Sequence, residues 1–381
     1  MKFVFASDSF KGSLSSVATI DILTRAAKDV FGNVECVGIP VADGGEGTVD
    51  AVIGAQNGKK INVLVHDPLM RKIRASYGCI DDTHAIIEMA EASGLPLLDK
   101  SERNPLLTSS FGTGELILDA LDKGFLDISI AIGGSATNDG GMGCAIALGI
   151  KFYDEAGNEL RGCGKDLEKI FDIDISGLDQ RLRDVTITVM CDVTNPLCGP
   201  DGATYTFAKQ KGADKAVMDR LEQGMCHYRD ILIQKSGIDP NSIPGSGAAG
   251  GLGAALFVFL GAKRRSGIET VLDMVHFDDL IEGSDLIVTG EGRTDSQSCY
   301  GKVMCGVGEH GAKKGIPVVG LSGSLGAGAY QIFDHGVESL MTIIDSPMTT
   351  ETAKKHAEEL YYNAAIRMFR FIRIGMISKE K

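Results

Sequence analysis

Several common signatures are missing from this 381-residue chain. Its nine cysteines form no CxxC pair and no paired His spacing accompanies them, which excludes a structural zinc finger and a disulfide frame. Scattered small thiols are the mark of a reducing compartment. Only 10 prolines occur, and glycine has no three-residue period, so collagen and Pro-rich linkers are excluded. Basic residues are also in deficit, 38 against 51 acidic, for a net charge of −13. A field of that sign repels polyanions and argues against nucleic-acid binding. No long apolar run is present. The uncharged stretch from Ser242 to Ala262 holds Pro244 and six glycines, and its strongly apolar part is only Leu256 to Leu260. A membrane span needs about 20 predominantly apolar residues. The N-terminus reaches Asp8 after too few apolar residues for a secretory signal. The expected location is the cytoplasm, with no membrane partner.

Familiar catalytic motifs are equally scarce. GxxxxGK[ST], GxSxG and HExxH do not occur, which removes support for P-loop, serine-hydrolase and zincin chemistry. GxGxxG occurs at Gly245–Gly250 and Gly306–Gly311, but neither lies in the strand–turn–helix setting of a dinucleotide site. No internal repeat of 20 to 50 residues is found.

Glycine, by contrast, is abundant: 49 residues, roughly twice the usual share of about 7%. The hydrophobic pattern supplies the context. Lys2 to Ala6 reads as a strand, and Ser13 or Ser15 can cap a helix with Val17, Ile20, Leu23, Ala27 and Val30 at helical spacing. A strand over Asn33 to Pro40 and a helix over Thr48 to Gln56 follow. Asp285–Thr289, Pro317–Leu321 and Val337–Ile344 alternate with helices near 302–314, 330 and 350–374. This alternation predicts a doubly wound parallel sheet. The middle reads as consecutive short strands over Val63–Val65, Ile73–Ile80 and Ala85–Met89. Further strands are expected at Ile128–Ile132 and Val185–Met190, with a helix-rich stretch near 207–235. The expected organisation is α/β with two domains: residues 1–65 and 280–381 together, and 66–279 inserted between them.

Eight windows at the ends of these strands total 82 residues, yet hold 24 of the 49 glycines and nine acidic residues against three basic ones. In open α/β sheets ligands bind beyond the carboxyl ends of the strands. Glycine lets backbone amides approach a phosphate there, and a helix N-terminus adds favourable partial charge. Asp8, Asp43 and Asp192 are each the first carboxylate after a strand, and such oxygen ligands suit Mg²⁺ with substrate phosphates. Arg293, between a glycine and a hydroxyl, suits phosphate or carboxylate. For any one loop the competing reading is a helix cap or an Asx turn. The Gly133–Gly143 loop, GGSATNDGGMG, carries more small and hydroxyl groups than a turn needs.

Taken together, DSFKGSLS, PVADGGEGT, EMAEASGL, RNPLLTSSFGTGELI, GGSATNDGGMG, CDVTNPLCGPDGA, PGSGAAGGLGAAL and TGEGRTDSQS…GK resemble the bacterial glycerate kinase family, the type that makes 2-phosphoglycerate. The resemblance runs from Asp8 to Ser324. It departs at Ala208-Lys209, where the family usually has Gly-Pro before QKGA, and at Met304-Cys305, where a proline is usual. It implies a flavodoxin-like domain from both chain ends with a restriction-enzyme-like mixed domain inserted. It also implies ATP-dependent, Mg²⁺-assisted phosphorylation of (R)-glycerate at its 2-hydroxyl in a cleft between the domains. On that basis Asp192 is expected to act as base, and Asp43 or Asp8 to hold Mg²⁺, with Asp295 as an alternative ligand. Lys11 and Arg293 would neutralise the γ-phosphoryl group or the glycerate carboxylate. Gly133, Gly134, Ser135, Thr137, Asn138, Gly290 and Glu291 would contact the nucleotide. A kinase of another small hydroxy acid, phosphorylation at the 3-hydroxyl, a silent small-anion binder and a homo-oligomer stay open.

Overall fold

The computed structural model describes residues 1–379. Strand β1 (Lys2–Ser7) leads into the helix Ser16–Phe31 and then β2 (Glu35–Gly38). The helix begins where the Ser15 side chain accepts the Ala18 amide, and it stops at Gly32, whose φ of +70° only glycine adopts readily. Ser13, the other candidate cap, donates to the Phe10 carbonyl instead. Ile20, Leu23, Ala27 and Val30 point inward as their spacing requires, while Val17 faces solvent.

The middle strands are β3 (Lys59–His66), β4 (Lys72–Cys79), β5 (His84–Glu88), β6 (Asp127–Ala131), β7 (Lys151–Tyr153), β8 (Asp172–Asp174), β9 (Thr186–Met190) and β10 (Lys263–Arg265). The tail adds β11 (Leu286–Glu291), β12 (Val318–Ser322) and β13 (Val337–Thr342). The chain forms two compact units. One comprises Met1–Asp43, Asp50–Gln56 and the chain from Ser266 onward; the other comprises Gly44–Val49 and Asn57–Arg265.

The first unit is built on a five-stranded sheet in the order β13-β12-β11-β1-β2, parallel throughout. Counted within the unit this is the order 2-1-3-4-5, the flavodoxin-like arrangement. Phe3, Phe5, Leu286 and Val288 pack with Leu23 and with Tyr361 and Phe369 of the closing helix Ala357–Lys379. The Phe3 and Phe369 rings stack at 5.8 Å. A parallel sheet covered on both faces explains the near-continuous apolar strand sequences.

The second unit has a six-stranded sheet, β10-β9-β6-β5-β4-β3. The β3–β4 and β4–β5 pairs are antiparallel, whereas β5, β6, β9 and β10 are parallel. The three-residue strands β7, β8 and β10 went unseen in the sequence, because three residues carry no readable period. Leu252–Leu260 forms a helix whose first six residues are buried, consistent with the glycine-rich loop before it. Among the described residues no helix is long and apolar enough to cross a membrane.

Candidate active site

Parallel pairing sets Ser7 beside Gly290 and Glu291 beside Ser322, so the loops after β1, β11 and β12 leave the sheet at one edge. The Asp8 amide donates to the Gly290 carbonyl at 2.8 Å, fixing the start of the first loop against the second. At this edge opens a cavity of about 460 Å³, a size suited to a small ligand (roughly 300–1,000 Å³). Asp8, Asp43 and Glu291 line it together with the cations Lys11, Arg293 and Lys302. Phe10, Ile343, Ile344 and Met348 supply apolar lining.

The carboxylates are held under electrostatic stress. Asp8 is only 8% exposed. Burial, and then the negative charge of Asp43, push its pKa up to about 7, against the pull of the Ser9 amide and Lys11. The Ser9 amide bond to Asp8 Oδ1 measures 2.6 Å. Glu291 is likewise buried, which raises its pKa, while hydroxyl donors and Lys302 favour the charged form. Thr294 Oγ1 donates to Glu291 Oε1 at 2.9 Å. Buried carboxylates forced near one another are costly unless a cation joins them. Their hard oxygen donors fit Mg²⁺.

The other expected residues of this unit are placed differently. Gly290 lies inside β11, where a Cβ would come within 2.3 Å of the Leu321 carbonyl oxygen, so its smallness serves strand packing. The Arg293 side chain is 67% exposed, and its Nε contacts Asp295 Oδ2 at 3.2 Å. Asp295 Oδ1 accepts the Gln297 amide at 3.0 Å, capping the turn Ser296–Cys299.

In the second unit, the Gly133–Gly143 loop follows β6. Gly133 and Gly134 are exposed, whereas Ser135, Thr137 and Asn138 are buried. Asn138 Nδ2 donates to Thr204 Oγ1 at 3.2 Å, and Thr137 Oγ1 and Asn138 Oδ1 have no hydrogen-bond partner. The loop is organised by Asp139. Its carboxylate accepts the Ser110 amide and hydroxyl at 2.7 and 2.8 Å, and the amides of Gly141 and Gly143 at 3.1 and 3.2 Å. Burial raises its pKa against those four donors. A Cβ at Gly143 would lie 2.1 Å from Ser109 Oγ, and at Gly140 2.6 Å from the Tyr228 ring. The glycines from 140 to 143 therefore answer to packing, and the exposed pair Gly133-Gly134 is what remains for a ligand. Asp192 follows β9 at its carboxyl end and is partly buried.

Two features were missed in the sequence. Lys354 joins the lining of the cavity, from a helix some 340 residues away from Lys11 in the chain. Lys211 is 1% exposed and donates to Ser135 Oγ and the Thr137 carbonyl, each at 2.7 Å. Burial lowers its pKa to about 7, with Asp139 pulling the other way. Its only sequence signal was the QKGA segment beside the family departure at Ala208-Lys209.

The family model described as the glycerate kinase family matches residues 3–373. A glycerate 2-kinase from Escherichia coli K12 is 45% identical over 377 residues, covering 99% of each chain. A glycerate kinase from Bacillus cereus is 46% identical over 360 residues, covering 94% of each. A Salmonella typhimurium LT2 chain, whose crystal structure carries the provisional name glycerate kinase 2, superposes with a TM-score of 0.88 at 42% identity and 99% coverage of both chains. With an α/β architecture, a carboxylate-lined cavity at the sheet edge and matches of this extent, the chain belongs to the glycerate kinase family of enzymes.

Proposed function

We propose that this enzyme transfers the γ-phosphoryl group of ATP to the 2-hydroxyl of (R)-glycerate with the help of Mg²⁺, in the cytoplasm where both substrates are soluble. The observation that carries this reading is the gathering of Asp8, Asp43 and Glu291 with Lys11 and Lys302 around one cavity. The E. coli relative, named as a glycerate 2-kinase, supports the choice of hydroxyl.

Asp8 and Asp43 would hold the metal, with Glu291 beside them and Asp295 reaching it only by leaving its cap. When bound, Mg²⁺ would neutralise phosphate oxygens during transfer. Lys11, Lys302 and the exposed guanidinium of Arg293 supply further positive charge for phosphate or the glycerate carboxylate. The apolar lining around Ile343 and Met348 suits a planar base. In the other unit the exposed backbone at Gly133-Gly134 can approach phosphate oxygens without steric conflict. Lys211 keeps that loop in place through Ser135 and the Thr137 carbonyl, a positioning role. Asp192 would accept the hydroxyl proton late in transfer.

A coupled ADP-release assay, omitting (R)-glycerate, ATP and Mg²⁺ in turn, tests the reaction. Turnover is expected only with all three, and a hydroxy acid that outperforms glycerate would redirect the assignment. Phosphorus NMR of the product decides the position, because a phosphate on C2 couples to one proton and on C3 to two. For Asp192→Asn, a loss of turnover of roughly 10²–10⁴-fold is expected. Near-wild-type turnover would remove the base assignment.

A further inference from the structure

A second polar cluster lies in the Asn57–Arg265 unit, outside the groups used above. Cys198 sits in the loop after β9, while Glu222 and Cys226 lie four residues apart on one face of the helix Lys215–Ser236. One ligand atom from each lies within 4.8 Å of the other two. The loop is already tied to this helix, since Glu222 Oε1 accepts the Gly199 amide at 2.5 Å. Asn241 fixes Cys198 from the other side: Oδ1 accepts the Cys198 amide at 3.1 Å and Nδ2 donates to its carbonyl at 3.2 Å.

Glu222 is the informative member. Its residue is 7% exposed, yet Oε2 has no hydrogen-bond partner. A buried carboxylate oxygen left in that state costs free energy. A Cys198–Cys226 disulfide would use the two sulfurs and leave this oxygen as it is. Glu222 Oε1 already lies 3.6 Å from Cys226 Sγ, so a cation held by both sulfurs and by both carboxylate oxygens would satisfy Oε2.

We propose that Cys198, Glu222 and Cys226 form a binding site for a borderline-soft divalent cation, Zn²⁺ by the chemistry of the ligands, which staples the loop after β9 to the helix Lys215–Ser236. Two thiolate sulfurs and one carboxylate are a normal zinc donor set, with water completing the coordination. Zinc–ligand bonds of about 2.0–2.3 Å put tetrahedral ligand atoms roughly 3.5–4 Å apart, so small side-chain rotations close the site. Cys226 is partly exposed, which gives the ion an entry path.

The test uses the full-length reduced protein, stripped with a chelator and titrated with Co²⁺. One Co²⁺ per chain with thiolate-to-cobalt charge-transfer absorption, displaced by Zn²⁺, is expected. Cys198→Ser and Cys226→Ser should each weaken binding beyond the roughly 10–100-fold that changes around a metal's ligands produce. Cys305→Ser should change nothing. It disrupts the other Cys/His/Glu group, in which His335 Nδ1 already meets Glu309 Oε1 at 2.8 Å. Should a variant fail to fold, alkylation mapping of the wild-type protein replaces it: Zn²⁺ should protect Cys198 and Cys226 alone. Absence of the charge-transfer band, its survival in Cys226→Ser, or its loss in Cys305→Ser overturns the proposal.

Discussion

The loops after β1 and β11 and the loop after β6 share a grammar of glycine, hydroxyl and carboxylate, yet the two regions treat their carboxylates in opposite ways. Asp139 is buried with four donors aimed at its oxygens. Asp8 is nearly as buried but has one short local amide bond and the charge of Asp43 nearby. The first arrangement completes a loop. The second leaves a carboxylate that either keeps its proton or needs a nearby positive charge. A carboxylate's partners, more than its burial, separate a structural group from a ligand.

Substitution of the two aspartates should pull activity and stability in different directions. Asp8→Asn is expected to lower turnover by more than about 10³-fold, in line with losing a metal ligand during phosphoryl transfer. It should also stabilise the fold above neutral pH. The Asp8 pKa is about 7 in the folded chain against 3.8 as its ordinary value. Between those values the unfolded chain has lost a proton that the folded chain keeps, so stability falls as pH rises from about 4 to 7. Asparagine removes that penalty, for a gain of roughly 1–3 kcal/mol at pH 8, read by denaturant unfolding. A parallel loss of stability would place Asp8 with Asp139. In the wild type, the apparent Mg²⁺ affinity should drop about tenfold per pH unit below pH 7, as protons compete for Asp8. A flat Mg²⁺ titration between pH 5.5 and 7 contradicts this.

Asp139→Asn is expected to cost about 2–4 kcal/mol, since an amide NH₂ would face backbone donors, with the unfolding midpoint as readout. Smaller still is the contrast within one loop. Gly143→Ala should cost about 1–3 kcal/mol by overpacking against Ser109 and the Phe111 amide. Gly133→Ala meets Gly45 Cα at 3.3 Å and the Gly44 carbonyl oxygen at 3.5 Å, and should leave stability within about 0.5 kcal/mol while raising the KM for ATP. Equal thermal shifts for both would show that the loop has no separate ligand-facing part.

Much of this molecule was legible beforehand. The strands Lys2–Ser7 and Leu286–Glu291 and the helix Ser16–Phe31 announce themselves through local period and capping. The position of Asp8, Asp43 and Glu291 at strand ends was visible for the same reason. The short strand Lys263–Arg265 was not, because three exposed basic residues become a strand only by pairing with β9. Nor did any local pattern mark Lys211 as buried, because its partner Ser135 lies 76 residues earlier in the chain.

The sequence alone determined the type of the longer periodic elements, the concentration of glycine at strand ends and the family, since each is written in neighbouring residues. Tertiary structure decided which of those loop groups are already satisfied. It gave Asp139 its donors, crowded Asp8 with Asp43, and set Cys198 against Glu222 and Cys226. Hydrogen-bond satisfaction and electrostatic stress sum over groups far apart in the chain, and no local pattern can carry that sum.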